Sequence, residues 1–254
     1  MCLILLAWQA NAELPLVVAA NRDEFYARPT RPAQFWPDAP QVVAGRDDSA
    51  GGTWLGLTRN GRFAALTNYR SPEHARSDRP SRGKLVADFL TGEMPPADYL
   101  AATEAFGKTC NGYNLLVGSL ETRELWWSSN VSGEARALTP GVYGLSNHLL
   151  DTAWPKVGAG RTALSAALGP PLDEVALGAL LRDDTRHDDA QLPKTGIPLE
   201  WERALSAAFI RTPTYGTRAS TLVKVGADGT AQFDEQTWLP GGHGNRRRFS
   251  FSMK

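Results

Sequence analysis

The chain has 254 residues, of which 42% are hydrophobic and 21% are charged, a composition typical of a globular protein. Its 27 lysines and arginines balance 27 aspartates and glutamates, and this zero net charge argues against a nucleic-acid-binding protein. Two cysteines, Cys2 and Cys110, are too few for a disulfide scaffold and match no zinc-ligand spacing. The sequence shows neither a signal peptide nor an apolar stretch of the ~18–20 residues that span a membrane, so we expect a cytoplasmic protein.

The first twenty residues predict two buried strands. The runs Leu3–Gln9 and Leu14–Ala20 are apolar, and a short polar turn separates them. Four polar residues, Asn21 to Glu24, follow the second strand directly. Four prolines between residues 29 and 40 then indicate a loop.

Three β-hairpins are predicted further along the chain. The first turns at Asn60-Gly61, a pair typical of type I′ turns because both central residues of that turn need a positive φ. The other two hairpins join Asn114–Ser119 to Glu124–Ser128, and Thr221–Val225 to Thr230–Phe233.

Helices are predicted between these groups of strands, from apolar residues at helical spacing and from flanking proline and glycine. The predicted helices are Lys84–Leu90, Pro96–Phe106, Arg161–Leu168, Leu172–Leu181 and Trp201–Phe209. Strands and helices form separate blocks rather than alternating, which favours antiparallel sheets with helices on their outer faces. The sequence contains no repeat and no linker, so we predict a single domain over residues 1–254.

Several common kinds of functional site are excluded by missing motifs. The sequence has no phosphate-binding G-x-x-x-x-G-K-[ST] loop, no G-x-S-x-G elbow of a serine hydrolase, and no histidine pair spaced to bind zinc. The acidic segment 183–189 and the glycine-rich segment 241–244 are interpreted as solvated loops. The basic run Arg246–Arg248 is interpreted as part of a solvated tail.

Cys2 is the candidate nucleophile. Removal of Met1 would leave Cys2 with a thiol and a free α-amine, whose ordinary pKa values are about 8.5 and about 7.7–8.0. A neutral amine can accept the thiol proton, so one residue would supply both nucleophile and base. The alternative is a buried cysteine without a chemical role, because cysteine is among the most buried residue types.

A thiol that transfers an acyl group also needs hydrogen-bond donors for the oxyanion and a nearby positive charge. Polar residues at predicted strand ends are the candidates: Arg22, Asp23, Asn68, Asn147 and Arg218. Each has a structural alternative, because asparagine often bonds the backbone where a strand ends and arginine is usually on the surface.

A set of motifs spread over nearly the whole chain resembles one known family. The motifs are Met1-Cys2, Asn21-Arg22-Asp23-Glu24-Phe25, Gly51-Gly52-Thr53-Trp54-Leu55-Gly56, Thr67-Asn68-Tyr69-Arg70, Tyr113-Asn114-Leu115-Leu116, Gly144-Leu145-Ser146-Asn147 and Tyr215-Gly216-Thr217-Arg218. They are similar to those of the transport and Golgi organisation family, also called the NRDE family. That family resembles the N-terminal-nucleophile hydrolases of the choloylglycine hydrolase and penicillin V acylase branch. The resemblance implies an α+β fold, a four-layer αββα sandwich of two antiparallel sheets flanked by helices.

The resemblance also implies a catalytic set: Cys2, Arg22, Asp23, Asn68, Asn147 and Arg218. Cys2 would be the nucleophile, and Asn68 and Asn147 would stabilise the oxyanion. Asp23 and Arg218 would orient the amine and tune the local charge. The related branch separates its arginine and aspartate by two residues, whereas here they are adjacent. Which of residues 21–24 faces the thiol therefore stays open.

Two functions are consistent with this resemblance. The first is an N-terminal-cysteine hydrolase or acyltransferase that acts on a linear amide or thioester and needs no cofactor. The second is a non-catalytic carrier or chaperone for haem or for an acyl-lipid or acyl-CoA metabolite, implied by the family's links to haem mobilisation and lipid homeostasis. In both cases the partner is a small hydrophobic or acylated molecule. His148 is the candidate haem ligand, and the eight tryptophans, including Trp126-Trp127, predict either a pocket lining or core.

Overall fold

The computed structural model describes residues 2–253, apart from the side chain of His74. These residues form thirteen β-strands and five α-helices. The strands are Cys2–Trp8 (β1), Leu16–Phe25 (β2), Thr30–Trp36 (β3), Ala39–Asp47 (β4), Leu55–Thr58 (β5), Arg62–Asn68 (β6), Tyr113–Ser119 (β7), Glu124–Ser129 (β8), Glu134–Ala137 (β9), Gly141–Leu145 (β10), Tyr215–Val225 (β11), Thr230–Leu239 (β12) and Gly242–Ser252 (β13). The helices are Gly83–Thr91 (α1), Pro96–Thr109 (α2), Pro155–Ala167 (α3), Glu174–Leu180 (α4) and Leu199–Leu205 (α5). Within residues 2–253, no helix combines the length and the apolar character that crossing a membrane requires.

The strands form two antiparallel sheets, as predicted. The first sheet has six strands in the order β10-β1-β2-β11-β12-β13, and the second has seven in the order β3 to β9. In the first sheet, β2 pairs with β1 on one side and with β11 on the other. A strand from the last fifth of the chain therefore lies beside the N-terminal hairpin.

The alternation of side chains along the strands produces three apolar layers. Ile4 of β1 points between the two sheets and belongs to the same buried cluster as Phe63 of β6. Its neighbour Leu3 has the opposite orientation, so it points outward and packs with Val157 of α3. On the outer face of the second sheet, a third cluster forms around Phe89 of α1. The order of layers is helix, sheet, sheet, helix, so the predicted αββα architecture is confirmed.

The hairpin at Asn60-Gly61 is present, but its predicted turn type is wrong. Gly61 has a φ of +76°, whereas Asn60 keeps a negative φ. The Gly61 N–H donates to the Thr58 carbonyl at 3.1 Å. The connection is therefore a type I turn followed by a left-handed glycine, the arrangement of a three-residue hairpin loop.

Two segments predicted as irregular contain strands, and each includes an edge strand of one sheet. The proline-containing region contains β3 and β4, and Pro32 lies in β3, an edge strand in which a missing N–H is tolerated. The glycine-rich segment and the basic run both belong to β13, the edge strand of the first sheet. Arg246 and Arg248 are not in a tail, because each forms an ion pair with Asp234 of β12 at 2.7 Å. The strands β9 and β10 were also missing from the prediction.

Candidate active site

A cavity of about 610 Å³ lies where β1 begins. Its lining contains Cys2 and four of the other predicted site residues, Arg22, Asp23, Asn68 and Arg218. The structure therefore brings together side chains that are up to 216 positions apart in the sequence. Asn147 lies behind this lining and is completely buried.

Cys2 is held in place by its pairing with β2. It is 7% exposed and lies directly opposite Arg22 in the register of the two strands. Side chains opposite each other in an antiparallel pair lie on the same face of the sheet, with Cβ atoms about 4.5–5.5 Å apart. Burial raises the pKa of the Cys2 thiol, and the charge of Asp23 raises it further. The positive charge of Arg22 and the backbone N–H of Asp23 lower it.

The register of β2 answers which of residues 21–24 faces the thiol. Asn21 is on the outer face, where its side-chain amide donates to the carbonyls of Leu181 (2.9 Å) and Ala208 (2.8 Å). Its Oδ1 atom accepts a hydrogen bond from Ser220 Oγ at 2.6 Å. The side chain of Asn21 thus holds the loops that follow α4 and α5 against the first sheet. Arg22, one residue later, points to the same face as Cys2.

Asp23 is a buried carboxyl group, only 1% exposed. Its Oδ1 atom accepts a hydrogen bond from Thr217 Oγ1 at 2.7 Å, which connects β2 to β11. Burial raises the pKa of Asp23, and the positive charge of Lys156 lowers it. Asp23 therefore acts on Cys2 through its charge and its backbone N–H.

Asn68 and Asn147 are linked, but they occupy different positions. The side-chain amide of Asn147 donates to the backbone carbonyl of Asn68 at 2.9 Å. Ser146 Oγ, 3.3 Å from Asn147 Oδ1, donates to the carbonyl of Cys2 at 3.1 Å. Asn68 lines the cavity. Asn147 is absent from the lining and contacts the backbone of the cavity residue Asn68.

Arg218 lies at an irregularity in the pairing of β11 with β2, between Thr217 and Ala219. Such a bulge changes the direction of a side chain at the end of a strand. The Arg218 Nη1 atom donates to the carbonyls of Phe25 (2.8 Å) and Tyr26 (3.1 Å). Arg218 thus holds the end of β2 while its guanidinium contributes positive charge to the cavity.

A group of buried charged residues beside the cavity was not found from the sequence. Arg70 Nη1 and Glu202 Oε2 form an ion pair at 2.6 Å, and both side chains are at most 5% exposed. Lys156 is 3% exposed, and its Nζ donates to the Leu205 carbonyl at 2.8 Å. Burial lowers the pKa of Lys156 to about 8, and the attraction of Asp23 opposes this change. Arg70 stood at the end of a family motif, but no local pattern singled out Lys156 or Glu202.

The cavity lining is rich in arginine. Among the described residues, eight arginines line it, against four carboxylates. The arginines are Arg22, Arg28, Arg31, Arg46, Arg76, Arg79, Arg82 and Arg218. Arg79 and Arg82 donate to backbone carbonyls, those of Cys110 (2.8 Å) and Gly112 (3.0 Å), which neutralise none of their charge. Four of the eight arginines form ion pairs with carboxylates: Arg28 with Asp47, Arg31 with Asp48, Arg46 with Asp38 and Arg76 with Asp78. The positive charge that favours an anionic ligand therefore comes from the other four, which include Arg79 and Arg82.

His148, the expected haem ligand, lies outside this lining. Its ring packs between Tyr69 and Trp154, with centroid distances of 4.9 and 5.9 Å, and Nδ1 is 2.9 Å from Thr152 Oγ1. Burial lowers the pKa of His148. Trp127 is part of the core between the sheets rather than of the cavity. Among the side chains that the structure describes, no group of three or more His, Cys, Asp or Glu residues is arranged to hold a metal ion.

Comparison with known proteins assigns the family. Residues 1–240 match the family model described as "Transport and Golgi organisation 2". The chain belongs to this family. Its Bos taurus homologue is 41% identical over 240 residues, which cover 88% of this chain and 87% of that protein. The Homo sapiens homologue is 35% identical over 257 residues, covering 94% of this chain and 93% of that protein.

Two solved structures are similar to this one at low sequence identity. The first is a Caenorhabditis elegans N-acylethanolamine-hydrolyzing acid amidase orthologue, 14% identical, with a TM-score of 0.49 over 87% of this chain and 92% of that one. The second is a variant of conjugated bile acid hydrolase from Clostridium perfringens, 13% identical, with a TM-score of 0.45 over 99% of this chain and 92% of that one.

Proposed function

We propose that this protein is an N-terminal-cysteine hydrolase or acyltransferase that acts on an amide or thioester. The observation that carries this proposal is the position of Cys2. It is the first residue of β1, it lies opposite Arg22, and it lines a cavity large enough for a small acyl donor. A cysteine buried only for packing would not need a charged partner and an open cavity at the same point.

Removal of Met1, which lies outside the described residues, must precede the reaction. The free α-amine of Cys2 then accepts the thiol proton, and the thiolate attacks the carbonyl carbon of the substrate. A C–S bond forms, and the bond from the carbonyl carbon to the leaving nitrogen or sulfur breaks. The ammonium returns its proton to the leaving group. Water or another acceptor then attacks the thioester and releases the acyl group from Cys2.

Each neighbouring side chain has a task in this sequence of steps. Arg22 favours the thiolate, opposing the effect of burial on the pKa of Cys2. The Asn68 amide stabilises the oxyanion of the tetrahedral intermediate. Asn147 keeps Asn68 in position through the 2.9 Å hydrogen bond to its carbonyl. Asp23 stabilises the positive charge that develops on the α-amine.

The second candidate function is carriage of an anionic cargo, and the arginine-rich lining favours it. A phosphate-bearing acyl metabolite such as an acyl-CoA would find several guanidinium groups in the cavity, and guanidinium binds phosphate in a bidentate manner. The carboxylates of haem would find the same groups. Haem bound in this cavity would not meet His148, which lies outside the lining. The phosphates of an acyl-CoA would therefore find partners within the lining, whereas the haem iron would not meet its expected ligand there.

The test of catalysis starts with the intact mass of untagged protein, which we expect to be lighter by one methionine. A panel of acyl amides and thioesters is then compared between wild type, Cys2→Ala and Cys110→Ala. Cys110 is the matched control because it is also buried but lies outside the cavity lining. We expect Cys2→Ala to lose at least about 1,000-fold in turnover, as nucleophile removal does elsewhere, and Cys110→Ala to keep it. Full turnover by Cys2→Ala would refute the mechanism.

Binding measurements separate catalysis from carriage. Acyl-CoA is titrated into Cys2→Ala by calorimetry, with Arg82→Met as the variant that removes one cavity charge. Binding that depends on Arg82, without turnover by wild type, would favour carriage and refute catalysis on that ligand. In a haem titration we expect the same Soret band for wild type and His148→Ala, because His148 lies outside the cavity lining; a changed band would contradict this.

A further inference from the structure

Glu235 of β12 is a buried carboxylate in the cavity lining that the proposed reaction does not use. Its side chain is only 3% exposed, and the residue is one of those that line the cavity. Glutamate is almost never buried to this extent unless it is paired. Within residues 2–253, however, Glu235 forms no ion pair. A hydrogen-bonding role is therefore expected for its two carboxylate oxygens.

One of these oxygens has a structural task. Oε1 accepts a hydrogen bond from the N–H of Ala33 at 2.6 Å, which joins β12 of the first sheet to β3 of the second. The pairing of β3 with β4 is irregular between Arg31 and Gln34, and Ala33 lies in this irregularity, outside the regular register. Oε1 is thus held in place, because turning away would leave a buried N–H unpaired.

The other oxygen, Oε2, is directed at the cavity. Among residues 2–253 it has no hydrogen-bond partner, and it is not one of the fully enclosed polar atoms. Gly45 of β4 also lines the cavity, and a Cβ added to this glycine would lie 3.8 Å from Oε2. The missing side chain at Gly45 therefore leaves Oε2 accessible. A clamp between the two sheets explains the contact of Oε1 but not the accessible position of Oε2.

We propose that Glu235 selects the substrate by accepting a hydrogen bond from a neutral donor, a hydroxyl or an amide N–H, at the end of the cavity remote from Cys2. This inference rests on the proposed function, since it names the substrate class of the same cavity. The strand order β1-β2-β11-β12 puts three strand spacings, about 14 Å, between the backbones of β1 and β12. The donor therefore belongs to a part of the substrate far from the reacting carbonyl.

The charges around Glu235 favour a neutral donor over an ammonium group. Burial raises the pKa of Glu235, whereas the Ala33 N–H and the positive charges of Arg22 and Arg247 lower it. Arg22 lines the cavity, and Arg247 lies directly opposite Glu235 in the register of β12 with β13. The same two arginines would repel a ligand ammonium at Oε2. A hydroxyl or an amide N–H would meet no such repulsion.

The test compares ligands that differ only in their last group. Dodecanoate, whose extended chain is comparable in length to the separation of β1 and β12, is titrated by calorimetry into Cys2→Ala. Its ω-hydroxy, ω-acetamido, ω-methoxy and ω-amino derivatives are titrated in the same way. We expect the ω-hydroxy and ω-acetamido forms to bind at least about tenfold more tightly than the ω-methoxy form, which has an oxygen but no polar hydrogen. Equal affinities for the ω-hydroxy and ω-methoxy forms would overturn the proposal without any change at Glu235. Tightest binding of the ω-amino form would overturn the choice of a neutral donor.

Glu235→Gln, made in the Cys2→Ala protein, removes the acceptor with little change of shape. Only the amide oxygen of glutamine can accept from the Ala33 N–H, so the new NH₂ group would take the place of Oε2. We expect the preference for ω-hydroxydodecanoate over the ω-methoxy form to disappear. Glu134→Gln is the control and should keep the preference, because Glu134 is half-exposed on β9, at the opposite edge of the second sheet from β3. A preference that persists in Glu235→Gln would overturn the proposal.

Turnover separates this inference from the proposed function. Two series of thioesters carry the hydroxyl either at the end of the acyl chain or at the end of the leaving thiol, each with its methoxy counterpart. In wild type, kcat/KM should favour the hydroxyl about tenfold or more in one series, and Glu235→Gln should abolish this preference. Turnover without a preference in either series would refute this inference alone. A binding preference that depends on Glu235, in a protein that turns over no thioester, would refute the proposed function alone.

Discussion

The buried ion pair of Arg70 and Glu202 predicts a large and specific loss of stability. The two side chains meet at 2.6 Å and are 5% and 4% exposed. Thr195 also donates to Glu202 Oε1, from its N–H at 2.9 Å and from its hydroxyl at 2.6 Å. These bonds prevent Glu202 from turning toward water. Arg70→Met therefore leaves a negative charge inside the protein without its partner.

The expected magnitude follows from the cost of breaking a buried pair. Removal of one partner costs about 3–5 kcal/mol, which lowers the melting temperature of a chain of this size by roughly 6–20 °C. The double variant Arg70→Met/Glu202→Gln removes the stranded charge and keeps an acceptor for Thr195. It should regain at least about 1 kcal/mol relative to the single variant. Arg76→Met is the control, because its ion pair with Asp78 is 63% and 66% exposed.

Urea unfolding followed by tryptophan fluorescence measures these differences. We expect the free energy of unfolding to depend equally steeply on urea concentration in all variants. The urea midpoint should be much lower for Arg70→Met and unchanged for Arg76→Met. The reasoning is wrong if Arg70→Met unfolds at the same urea concentration as Arg76→Met. It is also wrong if the double variant is no more stable than Arg70→Met.

Three further predictions concern packing, pH and turnover. Gly52→Ala should lower the free energy of unfolding by about 1–3 kcal/mol, because the new Cβ would lie 2.4 Å from the backbone at the start of α1. Gly158→Ala, in open space on α3, should raise it by about 0.5–1 kcal/mol. Urea midpoints in the opposite order would contradict this. Between pH 8 and 10.5, Lys156 holds a proton in the unfolded chain that it has lost in the folded protein. As the pH rises through this range, the free energy of unfolding of wild type should therefore increase by about 3 kcal/mol relative to that of Lys156→Met. A constant difference between the two proteins would contradict this. Asn147→Ala should lower kcat about 10- to 100-fold through misplacement of Asn68, with an unchanged rate of Cys2 alkylation, and equal kcat values would rule this out.

The parts of the fold that were predicted are those with strong local patterns. The buried run of β1 and the turn at Asn60-Gly61 are visible without knowledge of the rest of the chain. The strands β3 and β13 were missed because proline, glycine and arginine disfavour strands in the interior of a sheet. Both are edge strands, where Pro32 breaks no hydrogen bond with a neighbour and Arg246 reaches solvent. Edge position depends on the whole topology, which local residues do not encode.

The candidate site likewise combines residues that the sequence predicted with residues that it did not. Cys2, Arg22 and Arg218 belong to motifs, and the structure places all three at one cavity. Lys156 and Glu202 lie on helices whose pattern of apolar and polar residues is that of an ordinary surface helix. The pairing of Glu202 with a residue 132 positions earlier makes it a buried group. Such burial follows from tertiary packing, so no sequence window contains the signal.

The central place of β11 in the first sheet has a consequence for synthesis. Phe25 ends β2, and its neighbour β11 begins only at Tyr215. At about 5–20 residues per second, the ribosome needs roughly 10–40 s to make the chain between them. During that interval the N-terminal hairpin has an open edge and two apolar faces, which makes it a natural client for a chaperone. Cys2 and Arg218 line the same cavity, so that cavity is complete only near the end of translation.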